Sequence, residues 1–273
     1  MKDPVNDSPR AVWKHLQLRW HDLEQEADRS SLSLYAAEAV GTALLLIGGL
    51  SAVTVVTSPA SPVASLHLPG WLLRACAGGL FGLTGTAVTL SPFGKHSGAH
   101  INPAMTFAFW LEGKISRSHA VYYVIAQCLG AIIGAFVVLG WGRYGRPISF
   151  GATVPQLGLS PLAAVGLEAL CTTVLVTVVF GFLSRKRLRP YTGWTMAPMY
   201  ALMVSLEAPL TGTSTNPARS LGPAVVTGTW TLFWVYLAGP ALGAAVGVGI
   251  AKVGAWGEYR VEEARLVLSR REM

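Results

Sequence analysis

Six long apolar runs constrain the fold of this 273-residue chain more than any other feature. Each run has close to the 20 or so residues that an α-helix needs to cross the hydrocarbon core of a bilayer. The runs cover residues 32–57, 71–90, 119–140, 162–182, 194–210 and 231–253. Only 13% of the residues are charged, about half the share of an ordinary soluble domain. The pattern predicts an all-α membrane protein with six transmembrane helices.

Two further apolar pieces, 102–111 and 216–227, are too short to cross a bilayer, and each follows a loop rich in Gly, Ser or Thr. We expect both to be re-entrant segments, which makes residues 32–253 one channel-like domain. The flanks are polar. Residues 1–31 are predicted to be a tail that contains an amphipathic helix or is loosely ordered, and 254–273 a second tail.

The net charge of +7 follows the membrane topology rather than a polyanionic partner. If the N-terminus is cytoplasmic, nearly all Lys and Arg residues fall in cytoplasmic segments, and Arg74, Arg143 and Arg146 are the exceptions. This is the positive-inside bias. We therefore expect a multi-pass protein of the plasma membrane with both termini cytoplasmic, and no nucleic-acid partner.

The chain contains two copies of one unit. A Glu lies in the first and fourth apolar runs, at Glu38 and Glu168. The triplet Asn-Pro-Ala occurs in both short pieces, as Asn102, Pro103, Ala104 and as Asn216, Pro217, Ala218. Each copy, about 32–140 and 162–253, holds three spans, and an odd number inserts the second copy upside down. The sequence predicts an inverted repeat whose re-entrant segments enter from opposite faces.

The Asn-Pro-Ala triplets predict a pore. Asn is a preferred N-cap and Pro is favoured at the first helical position, so each triplet begins a half-helix. Irregular backbone at membrane depth is tolerated only where it is buried in protein or lines a watery cavity. With the Asn oxygen held by its own helix, the NH₂ groups of Asn102 and Asn216 would donate into a lumen near the midplane. The positive ends of the two half-helix dipoles would disfavour cations and protons there.

The segments SGAHINPA (97–104) and GTSTNPARS (212–220) resemble the two signature loops of the aquaporin, or major intrinsic protein, family. The resemblance extends over 32–253. It implies six tilted helices plus two half-helices in each protomer, a pore in each protomer, and a homotetramer. Ser220, after Arg219, resembles the water-type members, because glycerol facilitators usually have Asp there.

The same resemblance implies a selectivity filter. Motif spacing assigns it Arg219, Thr213 and Val204, with either Phe81 or Gly82 from the second run, because the segment after that run holds an extra residue. Phe81 would narrow the filter toward the size of water, whereas Gly82 beside Val204 would admit a larger neutral solute. Water-selective members usually have His where this chain has Val204.

Two intramembrane carboxylates, Glu38 and Glu168, could carry protons, but their symmetric placement favours acceptors for loop N–H groups. His100 is expected to orient the first loop, and Glu207 to brace the second. The primary hypothesis is a passive channel for water, alone or with small uncharged solutes. The alternatives are a channel mainly for solutes such as glycerol or metalloid hydroxides, and a proton-coupled transporter that uses Glu38 or Glu168. No G-x-S-x-G or H-E-x-x-H motif occurs, so we expect no enzyme, catalytic residue, cofactor or metal site.

Overall fold

The structure, a computed structural model, describes residues 29–254. The predicted tails, apart from their innermost residues, lie outside this range. The α-helices are α1 (Arg29–Thr57), α2 (Gly70–Leu90), α3 (Pro92–Ser97), α4 (Pro103–Leu111), α5 (Arg117–Val138), α6 (Pro161–Leu183), α7 (Met196–Glu207), α8 (Pro217–Thr227) and α9 (Val235–Gly254). Short 3₁₀ segments cover Pro62–Leu66, Leu139–Tyr144, Arg146–Gly151 and Arg189–Thr195. Among the described residues the fold is entirely helical.

Five stretches are long and apolar enough to cross a membrane, and they correspond to α1, α2, α5, α6 and α9. Their bounds are Ser31–Leu66, Gly70–Leu90, Arg117–Tyr144, Pro161–Leu183 and Val235–Val253. The predicted spans at these places are therefore confirmed to within a few residues at the helix ends.

The fifth predicted span, 194–210, is only partly covered by an α-helix. α7 has 12 residues and follows the seven-residue 3₁₀ segment Arg189–Thr195, which contains Pro190 and Gly193. Pro190 and Gly193, of the two poorest α-helix-forming residue types, lie just before the predicted span, and the 3₁₀ segment extends over its first two residues.

The short helix α3 was not predicted. Its N-cap Ser91 accepts a hydrogen bond from the Gly94 N–H, and Pro92 occupies the first helical position. α3 places Ser97 at the start of the first signature loop. The local sequence thus encodes a capped turn of helix where only a connection was expected.

The two repeats are each held together by a glycine-lined helix pair. In the first repeat, a Cβ at Gly130 of α5 would lie 2.1 Å from the Ala39 carbonyl oxygen of α1. In the second, a Cβ at Gly243 of α9 would lie 2.3 Å from the Ala169 oxygen of α6. Helices this close need residues without a side chain at the contact, as in other membrane helix pairs.

Contacts between the repeats complete the bundle. α2 packs against α7, where a Cβ at Gly78 would lie 2.3 Å from the Tyr200 carbonyl oxygen. α8 packs against α5 through Gly222, which faces the Ala131 carbonyl oxygen. These contacts bring the N-termini of the half-helices α4 and α8 together inside the bundle.

Candidate functional site

The loops before α4 and α8 share one backbone conformation. In the first loop φ is positive at Gly98, Ala99 and Ile101, and in the second at the three corresponding positions, Gly212, Thr213 and Thr215. The two glycines have φ of 92° and 91°, a region that side chains disfavour. The four other residues each cost about 1–3 kcal/mol of backbone strain, which must be offset by surrounding contacts.

The two Asn residues cap their own half-helices and also reach across the repeat boundary. Asn102 Oδ1 accepts from the Ala104 N–H at 2.8 Å, and Asn216 Oδ1 accepts from the Ala218 N–H at 3.0 Å. Asn102 Nδ2 donates to the Thr215 carbonyl at 3.0 Å. Asn216 Nδ2 correspondingly donates to the Ile101 carbonyl at 2.9 Å. The helix starts are as predicted, but one hydrogen of each NH₂ group joins the loops, which leaves one for the lumen.

Glu38 of α1 lies beneath the first loop and is fully buried. Its Oε1 accepts hydrogen bonds from the Ser97 hydroxyl at 2.7 Å and the His100 N–H at 3.0 Å. Its Oε2 accepts from the Ile101 N–H at 2.7 Å and from Gln127 Nε2 at 2.8 Å. Four donors meet one carboxylate, which compensates the burial of its charge.

Glu168 of α6 has the equivalent place beneath the second loop and is also fully buried. Its Oε1 accepts from the Thr211 hydroxyl at 2.6 Å and the Ser214 N–H at 2.9 Å. Its Oε2 accepts from the Thr215 N–H at 2.8 Å. The contacts of Glu38 and Glu168 are those expected of residues that hold the loops.

A third buried carboxylate, that of Glu207 at the end of α7, contacts the second loop and not the first. It is 6% exposed, accepts a hydrogen bond from the Thr213 hydroxyl, and shares the single hydrogen of the Thr211 hydroxyl with Glu168. Thr213 thereby has its hydroxyl oriented by α7 rather than by its own loop.

His100 lies between the first loop and α4. Its ring stacks on Phe109 with centroids 4.4 Å apart, and its Nδ1 lies 3.1 Å from the Thr106 hydroxyl. The backbone N–H of His100 is one of the donors to Glu38. These contacts connect the loop to the half-helix that follows it.

Arg219, in the first turn of α8, lies on a cavity of about 330 Å³. Thr213, Val204 and Phe81 line the same cavity. The guanidinium donates from Nη1 to the Gly151 carbonyl at 2.6 Å. Gly151 ends the 3₁₀ segment Arg146–Gly151 in the connection between the repeats, so this connection sets the position of the Arg side chain.

The structure distinguishes the two positions in α2 that the sequence left open. The Phe81 ring lines the Arg219 cavity, and its centroid lies 5.8 Å from Arg219 Cζ. Gly82 faces α7 instead, where a Cβ would lie 2.4 Å from the Met196 carbonyl oxygen. Of these two residues, therefore, Phe81 lines the Arg219 cavity beside Val204, and Gly82 does not.

A second cavity, of about 280 Å³, contains both signature Asn residues. Lys95 and Arg189 also line it, as does His100. Tyr200 of α7 lines both cavities, and sequence reasoning did not identify it. Its position four residues before Val204, one helical turn away, was the available signal.

Comparison with known proteins decides the family. The sequence model described as Major intrinsic protein matches residues 26–250. The chain belongs to the major intrinsic protein family.

Plant members of this family are among its relatives. Aquaporin PIP1-1 of Arabidopsis thaliana is 36% identical over 222 residues, 77% of this chain and 74% of that protein. Aquaporin NIP1-1 of Zea mays is 35% identical over 213 residues, 77% and 71% of the two chains. A probable PIP-type aquaporin, pTOM75 of Solanum lycopersicum, is 42% identical, but the match spans only 55% of this chain and 56% of that protein.

A solved structure has the same fold. The aquaglyceroporin from Plasmodium falciparum superposes with a TM-score of 0.66, covering 82% of this chain and 97% of that one, at 21% identity. The chain is thus an all-helical membrane channel with the fold of major intrinsic proteins, a family of passive channels rather than enzymes.

Proposed function

We propose that this member of the family conducts water passively through each protomer and excludes ions and protons. The observation that carries the proposal is the Phe81 ring beside Arg219 on the cavity wall. An aromatic ring opposes passage of wide solutes, and a fixed guanidinium repels cations while donating hydrogen bonds to water. Arg219, Thr213, Val204 and Phe81 form the filter in this proposal, without Gly82.

The Asn pair supplies the second element of selectivity. Asn102 and Asn216 each retain one N–H that can donate to a passing water oxygen. Both half-helices also direct their positive N-terminal ends to this point. A water molecule that accepts from the two Asn residues cannot continue the chain of hydrogen bonds that carries protons, and a cation meets a positive potential.

Val204 favours a second candidate, a channel that also or mainly conducts small uncharged solutes. This aliphatic side chain lines the filter beside Phe81 and offers no hydrogen bond to water. A neutral solute with carbon atoms meets a more apolar wall here than a filter of polar groups would present. The two candidates differ in whether glycerol passes.

Coupling to protons through Glu38 or Glu168 has less support. Both carboxylates are fully buried, and neither is among the residues that line the two cavities. Their oxygens are occupied by loop donors. A proton carrier needs access to water on each side in turn, and these contacts favour a positioning role instead.

The proposal includes the cellular setting. Described Lys and Arg residues cluster in the connections after α2, α4 and α6, whereas Arg74, Arg143 and Arg146 lie at the opposite ends of the spans. This asymmetry favours cytoplasmic termini, and the proposed location is the plasma membrane. Large apolar side chains exposed on the outer faces of the helices fit lipid and the neighbours in a homotetramer.

The test is stopped-flow light scattering of proteoliposomes that hold the full chain, under osmotic gradients of sucrose or glycerol and with or without a proton ionophore. We expect fast, ionophore-independent water flux, with glycerol near the rate of empty liposomes. Thr213→Trp, which fills the filter, should abolish the water flux. Leu202→Ala is the matched control, because Leu202 also belongs to α7 and is 62% exposed.

Two outcomes would contradict the proposal. Glycerol flux without accelerated water flux would assign the channel to solutes. Water or solute flux that depends on a proton gradient would indicate a coupled transporter.

A further inference from the structure

The Arg219 cavity and the Asn cavity have two lining residues in common, Phe81 and Tyr200. A solute that travels from the filter to the Asn pair must therefore pass these two side chains. Phe81 belongs to the filter already described. Tyr200 has no assigned role, although it is the larger side chain and is 9% exposed.

The two rings form one continuous wall. Their centroids lie 5.8 Å apart with an interplanar angle of 39°, which is the range of aromatic pairs in contact. Phe81 belongs to α2 and Tyr200 to α7, so the wall joins the two repeats. It presents apolar ring surface between the guanidinium of Arg219 and the amides of Asn102 and Asn216.

Close packing holds the Phe81 ring and the backbone of Tyr200 in place. A Cβ at Gly49 of α1 would lie 2.4 Å from the Phe81 ring, so this ring fills the space a side chain would need. A Cβ at Gly78 of α2 would lie 2.3 Å from the carbonyl oxygen of Tyr200. The backbones of α2 and α7 are thus in contact at the level of Tyr200, which fixes the start of the Tyr200 side chain, and the Phe81 ring has no room to withdraw from the passage.

A hydrogen bond holds the hydroxyl end of the Tyr200 side chain. Its hydroxyl lies 2.8 Å from the Thr215 hydroxyl, and Thr215 Oγ1 donates its only hydrogen to the Ser214 carbonyl at 2.7 Å. Tyr200 is therefore the donor, and Thr215 the acceptor. Thr215 also provides the carbonyl that receives Asn102 Nδ2, which ties the ring to the Asn pair.

We propose that Tyr200, with Phe81, forms a second constriction that excludes carbon-bearing solutes such as glycerol. The inference rests on the proposed water function and specifies how the exclusion is achieved despite Val204 in the filter. Water passes because one molecule needs few hydrogen bonds and can take them from the loop. A three-carbon polyol is wider, and the hydroxyl groups that it turns toward the rings lose their partners.

The experiment compares Tyr200→Val, Tyr200→Leu and Tyr200→Phe with the wild-type chain in proteoliposomes, measuring water and glycerol permeability on each preparation. Tyr200→Val and Tyr200→Leu should raise glycerol permeability at least about tenfold above wild type, a barrier decrease of at least ~1.4 kcal/mol. Their water permeability should stay within about threefold, or ~0.65 kcal/mol, of wild type. Tyr200→Phe keeps the ring and should still exclude glycerol. Leu202→Val, on the exposed face of α7, should leave both permeabilities unchanged.

The results separate this inference from the proposed function. A wild-type chain that conducts glycerol as readily as water contradicts both. The second outcome concerns a wild-type chain that excludes glycerol. If Tyr200→Val and Tyr200→Leu then conduct water and still exclude glycerol, only the role of Tyr200 is overturned. If Tyr200→Val does not fold, as judged by size-exclusion chromatography, Tyr200→Leu decides, because it retains more of the buried volume.

Discussion

Each signature Asn has two tasks, and a substitution can separate them. Asp is as good an N-cap as Asn, so Asn216→Asp keeps the start of α8. It removes the N–H that reaches the Ile101 carbonyl at 2.9 Å and places a carboxylate oxygen there instead. Two acceptors then face each other in a buried site, which is unfavourable.

We therefore expect Asn216→Asp to fold with its helix start intact but to lose most of its water permeability and part of its thermal stability. Proteoliposome swelling and the melting temperature of the detergent-solubilised protein measure the two effects. Asn216→Ala, which removes both the cap and the cross-loop donor, should be less stable still. Equal stability of Asn216→Asp and wild type would mean that the cross-loop hydrogen bond contributes nothing.

Glu207 provides a second prediction at this scale. Glu207→Leu would leave the buried hydroxyl groups of Thr211 and Thr213 without this acceptor, at about 1–3 kcal/mol for each group that stays unsatisfied. Thr211 retains Glu168 as an acceptor, so the larger effect falls on Thr213 in the proposed filter. We expect a lower melting temperature and altered water permeability, measured on the same preparations.

Glu207→Gln retains one carbonyl acceptor and should lie between Glu207→Leu and wild type in both measurements. Leu206→Ala, at a neighbouring position that is 69% exposed, is the control. If Glu207→Leu matches Leu206→Ala in stability and permeability, Glu207 does not orient the filter.

At the scale of helices, glycine determines how closely α9 approaches α6. A Cβ at Gly243 would lie 2.3 Å from the Ala169 carbonyl oxygen, whereas a Cβ at Gly249 of the same helix meets nothing within 4 Å. Gly243→Ala should therefore force the helices apart and destabilise the protein by about 1–3 kcal/mol. Gly249→Ala should be neutral or stabilising by up to about 1 kcal/mol, since Ala favours the helix. Thermal melts of both variants test this, and equal melting temperatures would contradict it.

Most helices could be predicted from the sequence because hydrophobic length and the two Asn-Pro starts are local signals. α3 and the 3₁₀ start of the α7 segment could not, because Pro92, Pro190 and Gly193 allow more than one tight turn. The candidate site likewise has features that are visible in the sequence and features that are not. The two triplets and Glu38 with Glu168 are visible as a repeat. The choice between Phe81 and Gly82, and the role of Tyr200, depend on which face of α2 and α7 points inward, which only packing decides.

The whole molecule depends on contacts between its halves. α2 of the first repeat packs on α7 of the second, and α5 packs on α8. The Asn102 and Asn216 hydrogen bonds cross the same boundary. An ion pair of 2.9 Å between Glu112, after α4, and Lys252, in α9, joins the halves again near one end. Each half alone would expose the faces and loops that the other covers, so neither half should form a pore.

The connection between the halves allows this to be tested. Leu157 is fully exposed, and Gly158 has open space around it. Gly151, which binds Arg219, and Thr153, which binds Ser220, both lie before this point. A chain divided between Leu157 and Gly158 keeps these two residues on the first fragment.

We expect the co-expressed fragments 1–157 and 158–273 to co-purify through a tag on either one. Together they should conduct water in proteoliposomes at a rate within about threefold of the intact chain, a barrier difference below ~0.7 kcal/mol. Each fragment expressed alone should give the permeability of empty liposomes. Conduction by a single fragment would contradict a pore that requires both Asn residues, and fragments that co-purify without conducting would mean that an unbroken connection is needed to hold Arg219 in place.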